Sequence, residues 1–185
     1  FYAKLGMENM GYLPLDRLIK ERLVPTEEDF LFRGQLLQGF VHDMGAAMQG
    51  GVGGHAGLFS NANDLAKLMQ MYLQNGTYAG ERYLSESVIK EFTKCQFCSD
   101  ENRRGAGFDK PALEGQEGGP TCKCVSYLSF GHTGFTGTLA WVDPQTQIVY
   151  VFLSNRIHPD ANNRRLLDMD VRTNIMEVIF NSIND

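Results

Sequence analysis

Two apolar runs set four residues apart constrain this chain more than any other feature. "TLAWVD" (138–143) and "IVYVFLS" (148–154) flank "PQTQ". Runs this short, rich in Val, Ile and aromatic residues and bounded by turn formers, read as strands. A four-residue connection pairs them as an antiparallel hairpin.

The helices must pack on that hairpin. Asn61 caps a predicted helix in which Leu65, Leu68, Met69, Tyr72 and Leu73 form one stripe. Asp64 stands where a capping box would reach back to the cap, and Gly76 ends the helix. A shorter helix starts at Ser85, with Val88, Ile89 and Phe92 on one side. A last helix starts near Asp170, and its expected buried side carries Val171, Ile175, Val178, Ile179 and Ser182 or Ile183. Pro14 opens a ragged helical turn, and 25–43 reads as an extended excursion with a short hairpin. Helices with an antiparallel sheet make an α+β layout, and 185 residues fit one domain.

Two stretches are irregular. Residues 45–60 are glycine-rich and must run close to other backbone or to a ligand. Residues 95–128 are enriched in Gly, Pro and Cys, and within them "GAGFD" (105–109) fits a short edge strand. So long a connection in a compact domain reads as a functional rim. It carries all four cysteines, Cys95, Cys98, Cys122 and Cys124. Their C-x-x-C and C-x-C spacing fits zinc, disulfides or free thiols.

A net charge of −5 with scattered Lys and Arg argues against a nucleic-acid partner. The two basic clusters, 102–104 and 162–165, read as solvated loop ends. No apolar run approaches a membrane span. No cofactor motif is present. The chain opens on Phe1 and reads as a piece of something longer.

The chemistry concentrates in "GHTGFTG" (131–137), just ahead of the first strand. Three glycines let a ligand lie against backbone N–H groups where no Cβ intrudes. Thr133 and Thr136 can donate hydrogen bonds, His132 can act as acid or base, and the N–H of Phe135 can face a developing oxyanion. A kinked strand start with a hydrogen-bonded histidine would use the same residues.

This segment resembles the K-T-G strand of serine β-lactamases and penicillin-binding proteins, with His in place of Lys. "LGMENMGYLP" (5–14), "GGHAGLFSNANDLAKLMQMYL" (53–73) and "VYVFLSNRIHP" (149–159) resemble further blocks of that family in the same order, closest to its class C, esterase and D-aminopeptidase-like branches. "FVHDMGAAMQGGVGGHAGLFS" (40–60) resembles the branch often fused behind a glycoside hydrolase family 3 domain in bacteria.

The resemblance implies an incomplete β-lactamase/transpeptidase-like α/β sandwich, with 1–185 as the C-terminal portion of one domain. It implies acyl transfer by a serine in S-x-x-K, assisted by Y-x-N, acting without a cofactor on a small-molecule or peptide amide or ester. Both motifs would lie upstream of Leu5, in a missing N-terminal half. The one local match, Ser87 to Lys90, sits on a short helix after the glycine turn and reads as coincidence. His132 and the Phe135 N–H then match catalytic positions, and Thr133 and Gly134 match substrate-binding ones. Asn155 and Arg156 match the turn flanking the substrate carboxylate. A neutral histidine lacks the fixed charge of lysine, which argues against penicillin-type substrates.

The same resemblance implies a periplasmic or cell-envelope location and peptidoglycan turnover. The isolated chain should lack turnover, and should dimerise, swap elements or be only marginally stable. The competing class is a non-catalytic binding or spacer module of an envelope glycosidase.

Overall fold

The computed structural model describes residues 1–183. Pro25–Asp29 (β1) and Gln35–Gln38 (β2) form an antiparallel hairpin, followed by the short helix Met44–Met48 (α1). The long helix Ala62–Leu73 (α2) leads through the two-residue strands Thr77–Tyr78 (β3) and Glu81–Arg82 (β4) to Glu86–Thr93 (α3). The main sheet is antiparallel, in the order Phe130–Thr133 (β5), Leu139–Asp143 (β6) and Ile148–Phe152 (β7). Arg165–Asp168 (α4) and Val171–Asn181 (α5) close the chain. This is the mixed helix and antiparallel-sheet layout expected from the hairpin, with small sheets.

The sheet buries both faces, because side chains alternate across it. Leu139, Trp141 and Tyr150 point one way and pack against Met176 and Phe180 of α5. Phe130 and Val142 point the other way and meet Met69 and Leu73 of α2. The sheet is therefore the middle layer between two helices. Register runs from Leu139↔Phe152 to Asp143↔Ile148, closing on the expected 144–147 turn. The buried Asp143 carboxylate ties that turn down by accepting from the Gln145 N–H and from the N–H and hydroxyl of Ser126.

Three helices depart from the sequence reading. In α2 the Asn61 side chain caps the Asp64 N–H as expected, at 2.8 Å. Asp64 does not complete a capping box. Its buried carboxylate accepts from the Asn9 N–H at 2.7 Å and lies 3.4 Å from Lys67, because the N-terminal segment runs over the helix start. That segment packs Leu5, Met7 and Met10 on Met71, so α2 is buried on a second face that a single stripe does not reveal.

In α3 only Ile89 of the three expected residues is buried, while Val88 and Phe92 are exposed. In α5 the expected side is buried only in part. Ile179 packs against the core and Val171 is half-buried, but Met176 and Phe180 take the inner positions with Trp141, while Ile175, Val178 and, past the helix end, Ile183 are exposed. The rotation is fixed by hydrogen bonds at the first turn. The Tyr150 hydroxyl donates to the Arg172 carbonyl, and the Arg172 guanidinium donates to the Thr138 carbonyl.

The four cysteines pair as the disulfides Cys95–Cys98 and Cys122–Cys124. Among the described residues no helix is long and apolar enough to cross a membrane.

Candidate active site

The site begins with backbone geometry at β5. Gly131 lies so close to β6 that a Cβ there would sit 2.1 Å from the Ala140 carbonyl oxygen. Only glycine fits this approach. The N–H and C=O of Gly131 turn away from β6 and pair with the C=O and N–H of Asp109, at 3.1 and 2.7 Å. That bridge makes 105–109 a partial edge, as its sequence suggested. In an antiparallel ladder the direction repeats every second residue. Thr133 therefore presents its backbone to the same outer edge, beyond the reach of Asp109.

Past Thr133 the chain turns tightly. The Gly134 N–H returns to the Thr138 carbonyl at 2.9 Å, and Gly137 adopts a positive φ of 97°. This turn leaves the Phe135 N–H without a protein acceptor among the described residues. An unpaired N–H at the end of a free strand edge is what an oxyanion or carbonyl would need.

His132 is exposed on the same strand. Its Nδ1 lies 2.7 Å from the Thr133 carbonyl, which can only accept, so Nδ1 carries the proton. Nε2 is then an acceptor, and it takes an N–H from Arg104 at 3.1 Å. The imidazole is thus backed by a permanent cation.

Arg104 is the residue that sequence reasoning passed over as a solvated loop end. The long 95–128 connection brings it in through Asp109. Asp109 is almost fully buried, and its carboxylate takes a bidentate fork from Arg103 at 2.8 and 3.1 Å. Arg104 reaches the same carboxylate at 3.4 Å. One carboxylate thus meets two guanidinium groups, and one positive charge remains uncompensated beside His132. The Arg104 side chain is 47% exposed, open to a ligand.

Asn155 and Arg156 lie behind this edge. The Asn155 side chain donates to the Pro25 carbonyl at 2.9 Å. The Arg156 guanidinium donates to the Ala161 and Asn163 carbonyls and lies over the Phe135 ring, 4.9 Å from its centroid. Both side chains are engaged with the protein. The Arg156 N–H and the Ser154 hydroxyl both donate to the Thr136 carbonyl, so this turn holds the 134–137 loop from behind.

Ser87 lies on α3, where its hydroxyl contacts that of Ser85. Lys90 pairs with Glu86 at 2.6 Å, not with Ser87. The S-x-x-K string is thus organised as an ordinary exposed helix face.

Comparisons with known proteins identify the family. The family model described as Beta-lactamase matches residues 10–172. A protein of Salmonella paratyphi B named "Putative D-alanyl-D-alanine carboxypeptidase" is 36% identical over 136 residues, covering 72% of this chain and 31% of its own length. A Salmonella newport protein of the same name matches equally. The chain thus spans about a third of the length of these curated relatives. A solved structure described as a β-lactamase from Mycobacterium bovis superposes with a TM-score of 0.52 at 23% identity, over 69% of this chain and 46% of that one. That likeness shows a shared fold. With 163 of its 185 residues, 10 through 172, inside the family model, the chain belongs to the β-lactamase family.

Proposed function

We propose that this chain forms the carboxylate-facing wall of a serine acyl-transfer site that cleaves peptides ending in a free carboxylate. The nucleophile, in S-x-x-K with Y-x-N, is contributed by sequence upstream of this chain. The observation that carries the reading is the Arg104–His132 pair beside the free Phe135 N–H.

The roles follow from chemistry. A substrate strand lies along the outer edge of β5, against the Thr133 backbone. Its terminal carboxylate meets Arg104, whose fixed charge stands in for the absent lysine. The carbonyl under attack points its oxygen at the Phe135 N–H, which stabilises the negative charge of the tetrahedral intermediate. His132, which meets Arg104 through Nε2, orients that cation and lines the acyl end. The relatives' name, a D-alanyl-D-alanine carboxypeptidase, supports a D-alanine terminus as the substrate class. Two disulfides support an oxidising location such as the periplasm or cell envelope.

The test uses the full-length protein and a peptide ending in D-Ala-D-Ala, compared with its methyl ester at the C-terminus. Arg104→Ala should raise KM for the free carboxylate about 10- to 100-fold, the worth of a charge-assisted hydrogen bond, and leave the ester nearly unchanged. Equal effects on both substrates, or none on either, would sink the assignment. The isolated chain should show no turnover on either substrate or on nitrocefin. Hydrolysis abolished by Ser87→Ala would place the nucleophile within this chain. The same upstream sequence decides whether a glycosidase domain precedes it.

A further inference from the structure

We propose that His42, held by Glu27, is a positioning residue that seats the turn carrying the Phe135 N–H; this rests on the function proposed above. The observation is a contact between two segments 93 residues apart in sequence. The His42 imidazole stacks on the Phe135 ring with centroids 5.2 Å apart and an interplanar angle of 19°. Its Nε2 lies 2.7 Å from the Glu27 carboxylate on β1. Arg156 meets the same ring at 4.9 Å.

The stack adds to the bonds the loop already makes. Gly134 bonds to Thr138, and the Gly137 N–H holds the Gly134 carbonyl, which shares its peptide plane with the Phe135 N–H. The Thr136 carbonyl accepts from Ser154 and Arg156. Phe135 itself is 62% exposed, so burial does not seat that end of the loop. Its ring is the handle there, and it is gripped by His42 and Arg156. Rotating a ring held in this way requires breaking a stacked contact.

His42 is itself well founded. Its own carbonyl accepts from Arg33 at 2.8 Å, and Arg33 is locked by the buried Asp29 at the β1–β2 turn. The hairpin is tied to the sheet separately, by Asn155 to Pro25 and by the Glu28 N–H to the Pro159 carbonyl at 2.9 Å. Through His42, the β1–β2 hairpin thus reaches across to the turn that carries the Phe135 N–H. Misplacing a reacting geometry by even 1 Å can cost on the order of 100-fold in rate.

The experiment compares His42→Ala and His42→Phe in the full-length protein. His42→Ala should lower kcat about tenfold or more with KM nearly unchanged, because the N–H acts on the transition state and not on substrate binding. His42→Phe keeps a flat ring for stacking and should restore most of kcat. An unchanged kcat in His42→Ala, a change in KM alone, or no rescue by Phe would overturn the proposal. If His42→Ala fails to fold, His42→Phe decides alone. Wild-type kcat in that variant supports the stack, and a tenfold loss refutes it.

A second readout separates this idea from the function it rests on. The backbone order parameter of Phe135, measured on this chain by NMR, should fall from about 0.85 toward 0.6 in His42→Ala and recover in His42→Phe. An inactive wild-type protein with that pattern would refute the hydrolase reading and keep the positioning role. A Phe135 order parameter unmoved by His42→Ala would refute the positioning role whatever the activity.

Discussion

Lys110 shows how one residue beside the candidate site carries a cost. Its side chain is nearly fully buried, and its ammonium donates to the Leu128 carbonyl at 3.3 Å. Burial pushes its pKa from 10.5 down to about 8, against a partial opposing pull from Asp143. The folded state therefore holds this proton less tightly than the unfolded chain does. Between about pH 8 and 10.5 the unfolded state binds more protons, so this residue makes stability rise with pH across that window. Below pH 8 both states are protonated and the full penalty applies. Lys110→Met keeps the aliphatic bulk and removes the buried charge. It should stabilise the fold by about 1–3 kcal/mol at pH 7, and its advantage should shrink as pH rises toward 10.5. Urea melts of both proteins at pH 7 and pH 10 check this. An advantage that does not depend on pH would mean that packing, not charge, sets the difference.

Elements differ in how plainly the sequence announces them. The β6–β7 hairpin was legible because both strands are continuous apolar runs with a polar turn between them. The cap, stripe and terminal glycine of α2 were legible for similar reasons, since local hydrogen bonds decide them. The orientation of α5 was not. Its apolar residues support two overlapping stripes, and only the bonds of Arg172 to Tyr150 and Thr138 choose between them. The site divided in the same way. "GHTGFTG" declared itself through its glycines, while Arg104 lies 28 residues before its partner His132 and becomes visible only once Asp109 bridges Gly131. The chosen face of α5 has a measurable consequence. Phe180→Ala should cost about 3–5 kcal/mol, as for a large aromatic removed from a packed core. Val178→Ala should stay within about 0.5 kcal/mol, since that side chain is 71% exposed. Chemical denaturation of the two variants would reverse that order if the stripe expected from sequence were the buried one.

At the scale of the whole molecule, the outward face of α5 and the outer edge of β7 both stand uncovered. Among the described residues no strand pairs with β7 on the side away from β6. Ile175 and Val178 lie exposed on the helix that covers the sheet, and Ile183 lies exposed just past its end. At the far end, Phe30 and Leu31 project from the β1–β2 turn at 79% and 94% exposure, held there by Asp29, which accepts from the N–H groups of Leu31 and Phe32. An unpaired strand edge and exposed apolar side chains are each templates for association. The chain spans about a third of its relatives' length, so in a longer protein further sequence is available to cover these surfaces. In isolation the available cover is a second copy. The chain should therefore self-associate, with its light-scattering mass rising above 20.7 kDa as concentration increases through the micromolar range. Charged substitutions on the exposed stripe, Ile175→Lys with Val178→Glu, should return it to the monomer without loss of stability, because neither side chain contributes to the core. A mass of one chain at every concentration would refute the expectation. Association that survives the double substitution would move the contact from α5 to the β7 edge or the β1–β2 turn, where Leu31→Lys is the next variant to measure.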